Sequence, residues 1–249
     1  MLGNSDGSRV KSCELSVSYN AVPCRNIAGS RWLDQSITEE TLMAMRSRDL
    51  TFSGETYLIA HDDRTGKPRL HKRGIAVTLA AALLAELLYA NRLHIQGRDV
   101  APIDGPPPQD QLARDMWMHF WTERHPLRTW LEFFATTARD DVIARLKKEG
   151  VLVPGRRSGS WRPSDPNVGA QSWARLSVTL RRHERLNPFD ACLLGLIHAA
   201  ELQEIVLDGG RRSDRQYLES IVDNLWPPLA DLLDETRSLI GAQAITHRM

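Results

Sequence analysis

The sequence predicts a mostly α-helical protein, built as a single compact helical domain with one protruding β-hairpin. Segment 75–90 is apolar and rich in Ala, Leu and Glu, which favours a helix over a strand. Later segments repeat apolar residues at helical spacing, and the sequence lacks the alternation of strands and helices that is typical of a parallel sheet. The 249 residues are 42% hydrophobic and 25% charged, as expected for a globular chain with a sizeable core.

The N-terminal part of the chain is expected to divide into a leader and the start of the domain. Residues 1–35 lack sustained periodicity and predict a flexible leader, which leaves the helical domain over 36–249. A capping-box pattern at the start of that domain predicts a short helix near 37–47.

The next elements surround the apolar segment. Ser53 before Glu55 indicates a helix start, and the following apolar residues end in the polar turn 62–66. Segment 75–90 has 16 residues, fewer than the roughly 20 needed to cross a bilayer, so we expect a buried core helix. Alternation of apolar and polar residues at 92–96 predicts a short strand.

The second half of the chain is predicted to be helical around one hairpin. Residues 101–110 carry four prolines and form a loop, and the helical pattern of 111–135 is interrupted by Pro126. Residues 140–149 form a charged amphipathic helix, and two apolar or aromatic arms flank a Gly/Ser turn at 151–163, which predicts a hairpin. Further helices are predicted at 171–186, 189–206, 213–226 and 228–243.

Charge is nearly balanced overall but unevenly distributed. The net charge of +1 excludes a uniformly basic nucleic-acid coat. Residues 139–162 contain seven basic and three acidic residues, a local net charge of +4, whereas 216–240 contain one basic and five acidic residues, a local net of −4. The distribution predicts one positive and one negative face.

Signals of catalysis or metal binding are weak, and we expect no catalytic site, no metal and no cofactor. The run 61–63 is better explained as a polar helix-ending turn than as acid–base or metal chemistry. His119 and Glu123, spaced i and i+4, provide only two side chains and are expected to form an exposed pair. Cys192 lies in an apolar helical run and is expected to be a core residue.

The predicted hairpin favours a membrane surface as the partner. Trp161 lies in a polar loop beside Arg162, and indole prefers the membrane–water interface, so we expect Trp161 to insert there. Arg156, Arg157 and Arg162 are expected to bind lipid phosphates, because guanidinium groups contact phosphate in bidentate geometry.

Two other functions are compatible with the same residues. A helix followed by a basic hairpin is also typical of the last helix and wing of a winged-helix DNA-binding protein, in which these arginines would contact DNA phosphates. A protein-interaction module without lipid binding is the third alternative. The residues alone do not separate these three.

The ordered segments resemble the Golgi phosphoprotein 3 family. The residues that carry the resemblance extend over roughly 50–225 and read ETYLIAHDDRTG at 55–66, LAAALLAELLYANRLHI at 79–95, VIARLKKEGVL at 142–152 and ACLLGLIHAA at 191–200. The resemblance implies a mostly helical domain with a membrane-facing hairpin. It also implies binding of phosphatidylinositol phosphate and of the cytoplasmic tails of membrane enzymes.

The resemblance further implies a headgroup pocket made of one tryptophan and three arginines. Aligned by hand, one of these arginines is kept as Arg139, while the tryptophan position falls at or near His71 and the other arginines fall on Ala80 and Thr136. Lys72 and Arg73 would replace the missing charge. These departures predict a looser site for anionic lipid than a selective phosphoinositide pocket.

The expected function is therefore peripheral binding to an anionic phospholipid membrane, with nucleic acid the less favoured partner. The expected headgroup contacts are His71, Lys72, Arg73, Arg139, Arg156, Arg157 and Arg162. Three cysteines are too few for a disulfide framework, which favours the reducing cytoplasm and places the protein on the inner face of the membrane.

Overall fold

Helices dominate the part of the chain that the structure describes. The structure is a computed structural model that describes residues 50–156 and 159–246, with side chains up to residue 242. Within these ranges the chain forms ten helices and two antiparallel strand pairs, which confirms the predicted fold class. The predicted leader 1–35 and the helix near 37–47 lie outside the described residues.

In chain order, the elements are α1 (Phe52–Ile59), α2 (Lys72–Tyr89), β1 (Leu93–Gln96), β2 (Asp99–Pro102), α3 (Gln111–Thr122), α4 (Leu127–Phe134), α5 (Ala138–Lys148), β3 (Leu152–Pro154), β4 (Trp161–Pro163), α6 (Pro166–Arg181), α7 (Pro188–Ala199), α8 (Gln203–Leu207), α9 (Arg212–Asp223) and α10 (Pro227–Thr246).

Helix α2 is the centre of the fold. Its apolar residues lie on every side, and from Gly74 onward only Ala76 and Glu86 are not buried. Because a helix that is apolar all round must be covered on all sides, neighbours surround it: α1, α5 and α10 make the most extensive contacts. The predicted core helix at 75–90 is confirmed.

Helix α1 is buried along its whole length, although it carries polar side chains. The Glu55 carboxylate accepts a hydrogen bond from Arg175 at 2.6 Å, and Arg175 also donates to Asp190 at 2.9 Å. Burial nevertheless raises the pKa of Glu55 above its ordinary value, partly offset by the Arg175 charge. The ion pairs join α1 to α6 and α7 in the core.

The structure contains a second strand pair that the sequence pattern did not reveal. Strand β1 matches the predicted strand at 92–96, and β2 pairs with it in the register Ile95 with Val100. The turn between them needs Gly97, whose φ is +59°. Two of the four β2 residues fall within 101–110, a stretch that was predicted to be a loop because it contains four prolines.

Some predicted helices begin or end elsewhere. The helix predicted at 171–186 begins at Pro166. Asp165 caps its N-terminus, since its side chain accepts a hydrogen bond from the backbone N–H of Asn167, and proline is favoured in the first turn of a helix. The helix predicted at 189–206 is two helices, α7 and α8, which are separated at Glu201 with φ +59°.

Candidate functional site

The most basic exposed segment of the described chain runs from the α1–α2 connection into the first turn of α2. Residues 64–73 contain five basic residues and no acidic one, and all five side chains are exposed. They are Arg64, Lys67, Arg69, Lys72 and Arg73. Charge counts over 139–162 and 216–240 do not include this run, although the sequence shows that it has five basic residues and no acidic one.

The segment begins with a turn fixed by Asp62. Its Oδ1 accepts hydrogen bonds from the backbone N–H groups of Arg64 and Thr65 and from the Thr65 hydroxyl, the last at 2.7 Å. These bonds hold the pKa of Asp62 below its ordinary value. The turn therefore holds the start of the basic segment in one conformation.

His71 to Arg73 surround a shallow depression at the N-terminus of α2. His71 caps the helix, since its Nδ1 accepts a hydrogen bond from the backbone N–H of Gly74 at 3.0 Å. The depression has a volume of about 340 Å³ and is lined by His71, Lys72, Arg73, Ala76 and Ala135. The structure thus brings together three of the residues expected to contact a headgroup.

Arg139 lies in the first turn of α5, four residues after Ala135. Its guanidinium is 3.3 Å from an Asp140 carboxylate oxygen; Arg139 is half-buried and Asp140 is exposed. Its charge also acts on Tyr57 in α1 and on His61, which follows α1. Arg139 therefore lies on α5 near the end of α1, and its expected role as a headgroup contact stays a prediction.

The hairpin packs against the same segment. Strands β3 and β4 pair antiparallel, with Pro154 opposite Trp161 and Val153 opposite Arg162. Gly66 is packed so closely that a Cβ there would lie 1.9 Å from the Trp161 carbonyl oxygen. The α1–α2 connection therefore links the hairpin to the depression.

Of the arginines expected at the hairpin, Arg156 and Arg162 are described. Arg156 is exposed before the turn, and Arg157 lies outside the described residues. Arg162 is half-buried and donates to the Pro163 carbonyl at 3.4 Å. Because successive strand residues face opposite sides, Trp161 and Arg162 project in opposite directions.

Trp161 is half-buried and packs against the hydrophobic core. The Lys147 ammonium lies over its ring, 4.3 Å from the centroid. That distance is within the range of a cation–π contact. The indole therefore has the core on one side and a cation near its face.

One arginine counted in the basic stretch belongs to the core. The Arg145 side chain is 7% exposed and pairs with Glu86 at 2.9 Å and Asp110 at 2.6 Å. It also donates to the hydroxyls of Thr51 and Ser53, each at 3.0 Å. Arg145 therefore adds no positive charge to the surface of α5, which is less basic than the count over 139–162 predicted.

The weak signals of catalysis have structural roles. His61 is buried, its Nδ1 lies 2.7 Å from the Tyr57 carbonyl oxygen, and burial lowers its pKa to about 4. The Glu123 carboxylate pairs with His125 at 2.8 Å instead of forming the expected pair with the His119 side chain; toward His119 only the Glu123 backbone N–H donates, to the His119 carbonyl at 3.0 Å. Cys192 is buried, which raises the pKa of its thiol to about 12. Among residues 50–156 and 159–246, no cluster of potential metal ligands occurs.

None of the described helices combines the length and the apolar composition that crossing a bilayer requires.

Comparison with known proteins identifies the family. No curated protein matches the sequence significantly. A family model described as Golgi phosphoprotein 3 (GPP34) matches residues 53–236, which include the basic segment, the depression, Arg139 and the hairpin. Because the match covers most of the sequence, the chain belongs to the Golgi phosphoprotein 3 family.

Proposed function

We propose that the protein binds the surface of anionic phospholipid membranes peripherally, through the α1–α2 connection and the adjoining hairpin. Membership of the Golgi phosphoprotein 3 family supports a lipid- or protein-interaction role rather than catalysis. The finer assignment to anionic lipid rests on the charge and geometry of this surface.

The observation that carries the proposal is the basic run 64–73. Its five cations are exposed, and none of them forms an ion pair with a carboxylate within residues 50–156 and 159–246. Each basic residue held near an anionic leaflet contributes on the order of 1 kcal/mol to membrane binding. Several such contacts give reversible binding that weakens as salt is added.

The depression at the N-terminus of α2 gives a place for a single phosphate-bearing headgroup. Lys72 and Arg73 provide charge, and His71, Ala76 and Ala135 complete its lining. The side chains that line it fit the chemistry of a phosphate ester better than that of a neutral sugar. A headgroup here would place the hairpin near the same membrane surface, because Gly66 joins the two.

Vesicle flotation tests the proposal. The full-length protein should float with phosphatidylcholine vesicles that contain phosphatidylserine, less so at higher salt, and weakly with phosphatidylcholine alone. Adding a phosphatidylinositol phosphate to the anionic vesicles tests headgroup preference. Equal flotation with zwitterionic and anionic vesicles, or none with either, would contradict the proposal.

A matched pair of triple variants locates the surface. Lys67→Ala, Lys72→Ala and Arg73→Ala together should weaken binding about 100-fold, from three contacts of about 1 kcal/mol each. Arg98→Ala, Arg124→Ala and Arg212→Ala remove the same charge from exposed positions elsewhere and should weaken it much less. Equal losses in the two triples would show that net charge, and not this surface, governs binding.

The same cations would also attract nucleic acid, so a mobility shift with random-sequence duplex DNA is the necessary comparison. We expect weak retention that disappears at moderate salt. Tight retention of DNA by a protein that does not float with anionic vesicles would replace the membrane proposal by the nucleic-acid alternative.

A further inference from the structure

Trp161 is held on more than one side in the described structure. It is half-buried against the core, its backbone pairs with Pro154 in the hairpin, and its carbonyl oxygen is packed against Gly66. Moving the indole into a bilayer would break its packing against the core. Trp161 was expected to insert into the membrane, but this geometry suits a residue that is fixed in place and supports a neighbouring side chain.

Lys147 is the side chain that contacts the Trp161 ring. It lies in the last turn of α5, it is exposed, and its Nζ is 4.3 Å from the centre of the Trp161 ring. Within the described ranges, no carboxylate forms an ion pair with it. The contact with the ring uses one side of the ammonium, and its N–H donors remain available to solvent or to an anion.

We propose that Trp161 is a positioning residue that holds the Lys147 ammonium as a contact for a lipid phosphate, instead of inserting into the acyl region itself. A free lysine side chain loses much rotamer entropy when it binds an anion, and a cation–π contact restricts it beforehand. Lys147 would thereby form a phosphate contact on the hairpin side, separate from the depression at Lys72 and Arg73. This inference rests on the proposed membrane function.

A double-mutant cycle on vesicle affinity tests the coupling between the two residues. The variants are Trp161→Leu, which keeps bulk without a π face, Lys147→Met and the double variant, measured on phosphatidylcholine vesicles that contain phosphatidylserine. Lys147→Met should weaken binding about five-fold. Trp161→Leu should weaken it about two- to five-fold when Lys147 is present and leave affinity unchanged when Lys147 is already Met.

Two further measurements separate positioning from insertion and from misfolding. Vesicles with brominated acyl chains quench indoles that enter the bilayer, and Trp161→Phe removes the signal of one of the seven tryptophans. Quenching should be the same in the wild type and in Trp161→Phe. Trp161→Phe, which keeps an aromatic face, should also retain more affinity than Trp161→Leu at unchanged thermal stability.

The outcomes distinguish this inference from the proposed function. If the wild type does not prefer anionic vesicles, the membrane function itself fails, and the inference falls with it. If the wild type binds but the two single losses multiply in the double variant, or if quenching drops in Trp161→Phe, the membrane function stands and the positioning role is overturned.

Discussion

Replacing Gly66 by alanine is expected to separate the hairpin from the α1–α2 connection. Two effects add at this position. The φ of +67° is costly for any residue with a Cβ, about 1–2 kcal/mol. The added Cβ would also lie 1.9 Å from the Trp161 carbonyl oxygen and 2.9 Å from the Arg162 Cα. Because both of these atoms belong to the backbone, the overlap cannot be relieved by a side-chain rotation.

The size of the second effect follows from how far the backbone must move. A carbon and an oxygen in ordinary contact are well over 3 Å apart, so the hairpin or the connection must shift by more than 1 Å. Overpacking that forces backbone shifts costs about 1–3 kcal/mol. Together with the φ cost, Gly66→Ala should lower the free energy of unfolding by about 2–5 kcal/mol.

Gly150 provides the matched control. Its φ is +73°, close to that of Gly66, but a Cβ there would meet no atom within 4 Å. Gly150→Ala should therefore cost only the φ contribution, about 1–2 kcal/mol. Urea unfolding of both variants, analysed with the wild-type slope, gives the difference. Equal losses in the two variants would refute the close packing of the hairpin against Gly66.

Three further changes test the core. In the folded protein the pKa of His61 is about 4, against an ordinary value of 6.5, so the unfolded state binds more protons between these two pH values. The free energy of unfolding should therefore fall by up to about 3 kcal/mol as the pH drops from 6.5 to 4. His61→Gln should remove this part of the pH dependence. Arg145→Met should lower the free energy of unfolding in urea by about 3–5 kcal/mol, because it leaves the Glu86 carboxylate in the core without its ion-pair partner. The control Arg182→Met removes an exposed pair with Glu184 and should lower it by less than about 1 kcal/mol. Gly195→Ala would bring a Cβ within 2.6 Å of Leu233 and should lower the thermal midpoint, while Gly241→Ala, in open space on α10, should leave it unchanged or raise it.

The helical framework could be predicted from sequence because its signals are local. The apolar run of α2 and the break at Pro126 between α3 and α4 depend on residues close together in the chain. The pairing of β2 with β1 was missed because its prolines and short length give little periodicity. The division of the helix after Ala199 depends on the left-handed conformation of Glu201, a residue that does not favour it.

The candidate site was harder to predict because charge counts do not show which side chains are buried. Arg145 and Arg139 lie six residues apart in one helix, yet the Arg145 side chain is 7% exposed and enclosed by Glu86 and Asp110, whereas the Arg139 side chain is 35% exposed. Trp161 was expected to face outward, but its packing against the core depends on the position of the hairpin in the fold. Tertiary contacts of this kind leave no pattern in a single sequence.

The α1–α2 connection is in contact with several elements at once. Gly66 contacts the hairpin, and Asp63 is packed against Gly169 of α6, where a Cβ would lie 3.1 Å from the Asp63 Cα. A charged segment fixed in this way does not have to become ordered when the protein binds. Added salt should therefore strongly lower the rate constant for association with a negatively charged surface and should change the dissociation rate constant much less.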